Sequence, residues 1–156
     1  MRYSLFGVGA LAFSFVDPAE ARNWSRIYYD TIRSEACVPI GHRVNANIAM
    51  VSAFSIHPDR EEAVRRGQEG FEFFGYALGA LVTKDTVPGR TTLWRDFQRA
   101  RSEQGFGSPV AAVSTRAPGI GTPEDLNQHL RAFEDSGVDQ VIFLQQAGRH
   151  RHDDIC

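Results

Sequence analysis

The apolar positions of this chain fall into short unbroken runs separated by longer stretches of helical period. Gly9 to Phe15 (GALAFSF) shows no polar alternation, as expected of a strand buried on both faces of a parallel sheet. Asp17, Pro18 and Glu20 follow as a capping carboxylate, a first-turn proline and an acidic residue three positions after the cap. Ala21, Trp24, Tyr28 and Ile32 then recur at three- and four-residue spacing, which lays one apolar stripe along a helix. The pattern predicts a strand and then an amphipathic helix.

The unit repeats. Asn47 to Ile56 (NIAMVSAFSI) predicts a second buried strand, Asp59 with Glu62 a second cap, and Ala63, Val64, Gly67, Phe71, Phe74, Leu78 and Leu81 the stripe of a long helix. Gly67 and Gly70 each weaken that helix by about 1 kcal/mol relative to Ala, so either the helix approaches the sheet closely there or it kinks at the surface. Val82 to Pro109 interrupts the rhythm with loop chemistry around a short helix, Thr92 to Glu103, and is expected to be an insertion at about 82–110. The pattern resumes with an apolar segment into Gly119, Ile120 and Gly121, a Thr122 cap, Pro123, and a helix with Leu126, Leu130 and Phe133 inward. Gly137 is placed to stop it in a left-handed conformation. Val138 to Leu144 predicts the fourth strand, and QQAGRHRHDDIC follows.

Strands alternating with helices require right-handed parallel crossovers, and so either an open doubly wound sheet or a (β/α) barrel. Both place their sites at the carboxyl ends of strands. No GxGxxG or GxxxxGK[ST] follows any strand, which weakens the nucleotide-binding open sheets. A complete eight-stranded barrel needs about 250 residues, and this chain has 156. The expected fold is therefore α/β: a partial TIM-type (β/α)8 barrel over residues 1–156, with four parallel strands in sequential order and the outer helices on one side. Its bare terminal strands would be a pairing hazard, so a homo-oligomer or a subunit that pairs with another half is expected.

Composition narrows the partners. Seventeen basic and nineteen acidic residues, net −2, are mixed along the chain, so no basic face offers itself to nucleic acid. The opening MRYSLFGVGALAFSF lacks a cleavage pattern and ends well short of the roughly 20 residues that span a bilayer, so no membrane association is expected. Cys37 and Cys156 form no CxxC pair, and a reducing cytoplasm is the expected location. Eleven Phe make either a Phe-rich core or aromatic walls around a flat ligand.

Three segments carry a resemblance. IGTPEDLNQHLRAFEDSGVDQVIFLQQAGRHRHDDIC at residues 120–156, with a GTPE-type helix start leading to a GVDQ strand, resembles the terminal strand and helix units of luciferase-like, flavin-dependent monooxygenases. GVGALAFSFVDPAEARNWSRIYYD and VNANIAMVSAFSIHPDREEAVRRGQEGFEFFGYALG resemble earlier units of the same family, in family order. The resemblance implies the C-terminal half of a TIM-type barrel that binds reduced FMN, or the deazaflavin F420 in some branches. It also implies dioxygen and a small organic substrate as reactants and a separate flavin reductase as a partner. The N-terminal strands and the polar segment that in many members helps hold the flavin phosphate are absent, so weak FMN binding and negligible turnover by this chain alone are expected, the alternative being a non-catalytic half-barrel remnant or pairing subunit.

The strand ends name the candidate residues. Phe15 and Phe54 could wall a flavin ring, or pack outward beneath helices. Ser14, Ser55 and Gln145 could hydrogen-bond ring or substrate, or serve turns and caps. His57, before Pro58 and Asp59, could act as acid or base near the flavin or be a solvated turn histidine. Gly119 and Gly121 lead to a helix N-terminus that could cradle phosphate, or form a plain tight turn. His150, His152, Asp153 and Cys156 are metal-ligand types in a spacing that forms no recognised site, and no metal is expected.

Overall fold

The computed structural model describes residues 3–13, 15–83, 92–104, 119–145 and 148–155. They form five strands, β1 (Ala10–Ala12), β2 (Ile48–Ala53), β3 (Ser55–Ile56), β4 (Ile120–Gly121) and β5 (Gln140–Leu144), and four helices, α1 (Pro18–Ile32), α2 (Arg60–Thr83), α3 (Leu93–Gln104) and α4 (Pro123–Asp135). β1 pairs parallel with β2 and β3 parallel with β4. Parallel pairs with a helix between successive strands are the elements of part of a (β/α)8 barrel. No helix among the described residues is long and apolar enough to cross a membrane.

The chain divides into two compact units, Met1–Ser52 with Glu124–Leu144, and Ala53–Pro123 with Gln145–Cys156. In the first, the sheet order is β1-β2-β5. Ile48 and Met50 of β2 pack with Ala21, Tyr28 and Ile32 of α1 and Phe133 of α4, and Ala10, Ala12 and Val141 join them. Alternate strand residues share a face, so both helices cover the same side of this sheet. The opposite side carries Leu11 and Ile142, which are 55% and 38% exposed.

Local signals place these helices. Asp17 caps α1, its carboxylate accepting from the Glu20 N–H at 2.9 Å, and Gly137 ends the chain's run from α4 at φ 79°. The strand starts are tied by polar groups. The Tyr28 hydroxyl donates to the Val8 carbonyl and accepts from the Asn47 N–H. One carboxylate oxygen of Asp139 accepts from both the Tyr29 hydroxyl and the Ile48 N–H.

In the second unit β3 and β4 lie beneath α2. A Cβ on Gly67 would sit 2.3 Å from the Ser55 Cβ and 3.1 Å from Ile120 Cδ1, so this glycine marks close approach of helix to sheet and not a surface kink. The α2 stripe is shorter than its apolar periodicity predicts: Ala63 and Gly67 are buried and Phe71 packs on Ala53 and Ile120, but Val64, Leu78 and Leu81 are exposed. A 24-residue helix is about 36 Å long, far longer than a two-residue strand, and cannot keep one face on the sheet throughout. Further along, α3 covers it through contacts of Phe73 with Trp94 and Phe97, and of Tyr76 with Phe97. Phe97 is buried there and Phe73 half-buried.

The expected sequential order of four strands is not what forms. The second predicted strand breaks at Phe54 into β2 and β3, and among the described residues the third is Ile120–Gly121, the apolar segment before Gly119 lying outside them. Gly119 at φ 90° precedes it and α4 begins at Pro123, so it is too short to pair with anything beyond β3, while β5 takes the place beside β2.

Candidate functional site

β3 ends where α2 is about to begin, and its backbone is held by the two candidate glycines. The Ser55 N–H donates to the Gly119 carbonyl at 3.1 Å and the His57 N–H to the Gly121 carbonyl at 3.2 Å. Beside β3 lies a cavity of about 200 Å³, walled by Phe54, Ser55 and Ile56, by Arg66 of α2, and by Gln145, His150, Asp154 and Ile155.

Packing on α2 brings the C-terminal segment to this cavity. Gly148 has φ 64°, and a Cβ there would lie 3.0 Å from the Trp94 ring and 3.3 Å from the Gly70 Cα; only glycine allows so close a pass in that conformation. The Arg149 guanidinium stacks 4.9 Å from the Trp94 ring centre. A short 3-10 turn, His152–Asp154, follows and sets Asp154 at 3.5 Å from Arg66. Arg66 also bonds Glu62 at 2.7 Å. Hydrogen bonds from Arg65 and then Arg66 hold the Glu62 carboxyl down to about 2. The charges at the cavity are therefore already paired.

The sequence-predicted residues meet different fates. Phe54, Ser55 and Gln145 come together at the cavity, and Gly119 and Gly121 serve β3 as backbone acceptors. The Ser55 hydroxyl donates to the Ala63 carbonyl at 2.8 Å, so its proton is committed to α2. His57 Nδ1 accepts from the Asp59 N–H at 3.0 Å; it stabilises the turn into α2 and lies outside the cavity wall. Phe15 belongs to the first unit, and Ser14 and Cys156 lie outside the described residues. Among the described residues, no three His, Cys, Asp or Glu side chains converge as metal ligands would.

Sequence reasoning missed His150 as a cavity residue, because nothing local separates it from exposed His152. Its Nδ1 lies 2.7 Å from the Gln145 carbonyl oxygen, and its buried Nε2 has no hydrogen-bond partner among the described residues. Elsewhere, Ser52 and His129 lie 2.9 Å apart in the interior of the first unit. Ser52 is 1% exposed, and burial lowers the His129 pKa. The pair ties β2 to α4 and offers no accessible nucleophile.

No family profile matches the sequence, and no curated protein does. Solved structures do. The chain is similar in fold to the monooxygenase RslO1 from Streptomyces bottropensis, with a TM-score of 0.57 and 15% identity over 98% of this chain and 39% of that one. It is also similar to apo-MsnO8, with a TM-score of 0.50 and 17% identity over 94% of this chain and 46% of that one. The chain thus spans less than half the length of either, and what it shares with them at this identity is the fold.

Proposed function

We propose that this chain supplies strand and helix units of a luciferase-like, flavin-dependent monooxygenase, in which reduced FMN and dioxygen oxidise a small organic substrate. The observation that carries the reading is a cavity at the carboxyl end of the β2–β3 run, where barrel enzymes keep their chemistry. That cavity is lined by an aromatic side chain, Phe54, and by His150, whose buried Nε2 has no hydrogen-bond partner among the described residues. A flat ring with a hydrogen-bonding edge fits that donor and acceptor set. At about 200 Å³, the cavity is below the roughly 300–1,000 Å³ usual for small-molecule sites, so it receives one edge of such a ring and the rest needs further walls.

When bound, reduced FMN supplies the electrons that activate dioxygen. The residues of this chain would do the holding: Phe54 against the ring and Gln145 at its edge, with the paired Arg66 and Asp154 lining the same cavity. The exposed Leu11 and Ile142 side of the first unit's sheet is the lumen side that further strands, or a second copy, would cover.

Titration of the purified chain with FMN, followed by flavin fluorescence, tests this. Binding weaker than micromolar is expected, further weakened by Phe54→Ala. Indifference to that substitution would remove Phe54 from the site, and tighter binding of F420 than of FMN would move the reading to a deazaflavin-dependent oxidoreductase.

A further inference from the structure

The two histidines nearest β3 are in opposite states. His57 Nδ1 accepts from a backbone N–H, so in the neutral ring its proton sits on Nε2. His150 Nδ1 faces the carbonyl oxygen of Gln145 at 2.7 Å, and a carbonyl only accepts. His150 Nδ1 therefore donates, and in the neutral ring Nε2 keeps a bare lone pair.

That lone pair is buried without a partner among the described residues, and the side chain that bears it walls the cavity. None of the described neighbours supplies its hydrogen. The Ser55 proton goes to Ala63, Arg66 turns its Nε and Nη1 to Glu62 and Asp154, and a carboxylate such as Asp154 has no hydrogen to give. Buried polar atoms are rarely left unpaired, and the partner that fits is an N–H or O–H brought by a ligand.

We propose that His150 Nε2 accepts a hydrogen bond from the imide N–H on the pyrimidine edge of a bound flavin, with Phe54 against the ring. This rests on the flavin reading above and adds a residue that positions and selects the cofactor. It also gives the Gln145 carbonyl a purpose: by taking the Nδ1 proton it fixes the tautomer that leaves Nε2 an acceptor.

The test uses the whole chain, ¹⁵N-labelled, with riboflavin and N3-methylriboflavin as probes. Long-range ¹⁵N–¹H spectra of the histidine rings should show His150 protonated on Nδ1 in the free chain, and its Nε2 signal should move on addition of riboflavin. The methylated probe, which has no imide hydrogen, should bind about tenfold more weakly, the scale of one buried hydrogen bond. His150→Asn keeps a donor for the Gln145 carbonyl and removes the acceptor, so it should bind the two flavins alike. His150→Gln, which returns an amide oxygen near the Nε2 position, should recover part of the preference. A free chain with the proton on Nε2, equal binding of the two probes by the natural sequence, or a preference that survives in His150→Asn would each overturn the assignment. Equal binding leaves the flavin reading standing, whereas failure of both probes to bind overturns the two together.

Discussion

The polar groups at the starts of β2 and β5 and those around the cavity beside β3 solve the same problem in opposite ways. At the strand starts, one Asp139 oxygen serves the Tyr29 hydroxyl and the Ile48 N–H, the Asp139 N–H returns a bond to the Ile48 carbonyl, and the Tyr28 hydroxyl bridges Val8 and Asn47. At the cavity, His150 Nε2 stays unpaired. The first arrangement pairs these groups with one another and holds the fold. The second forgoes a hydrogen bond where a ligand could supply it, and barrel enzymes divide stability and chemistry between their strand ends in this manner.

The largest expected effect removes the platform that the cavity stands on. Gly67→Ala gains about 1 kcal/mol of helix propensity but drives a Cβ to 2.3 Å from the Ser55 Cβ, where backbone must shift. Overpacking costs about 1–3 kcal/mol and at times more, and contact this close belongs at the upper end. A net loss of about 2 kcal/mol is expected in chemical denaturation, with loss of flavin binding as β3 moves. Unchanged stability would mean that α2 can ride away from β3.

Next comes the network at the strand starts. Asp139→Ala strips the acceptor from the Ile48 N–H, in a residue that is 0% exposed, and an orphaned buried donor costs about 1–3 kcal/mol. Asp139→Asn keeps an acceptor oxygen and should cost less. Neither should alter the riboflavin preference if the comparison is right; a changed preference would break it. The same network predicts an alkaline limit. Burial, and then the hydrogen bond to Asp139, push the Tyr29 phenol up to about 12 from 10. The folded chain holds the proton longer than the unfolded one, so this contribution to stability is complete below pH ~10 and is lost as pH rises toward ~12. Tyr29→Phe should flatten stability across that window in a denaturation series.

Much of the fold was legible because its signals are local. The Asp17 cap, the Asp59 carboxylate accepting from Glu61 and Glu62, the stop at Gly137 and the parallel strand and helix units follow from neighbouring residues. Strand order was not legible, since the short β4 and the seat of β5 beside β2 depend on pairings far apart in sequence. That Phe54, Ser55 and Gln145 stand at strand ends was legible, and they line one cavity, but the use of the Ser55 hydroxyl by Ala63 required the packing of α2. His150 was hidden for the same reason: its value comes from the Gly148 turn lying on Gly70 and Trp94, which no spacing rule encodes.

The smallest effect is the one that sharpens the contrast most. Ser25 Oγ is also buried without a hydrogen-bond partner among the described residues, yet Ser25 is 2% exposed and lies against the Gly137 turn, where even an added Cβ would find the Ser25 Cβ 3.6 Å away. Ser25 does not line the cavity beside β3, so its orphan oxygen is a cost with no return there. Ser25→Ala removes the desolvated hydroxyl and keeps the Cβ packing, and it replaces a weaker helix former with the best one. Stability should therefore rise by about 0.5–1 kcal/mol, and flavin binding should not change. His150→Asn should do the reverse, leaving stability nearly level while abolishing discrimination between the two flavins. If Ser25→Ala instead destabilises the chain in urea, that oxygen has a partner in solution. An unpaired atom would then be a poor guide to function in this protein, at the cavity as well.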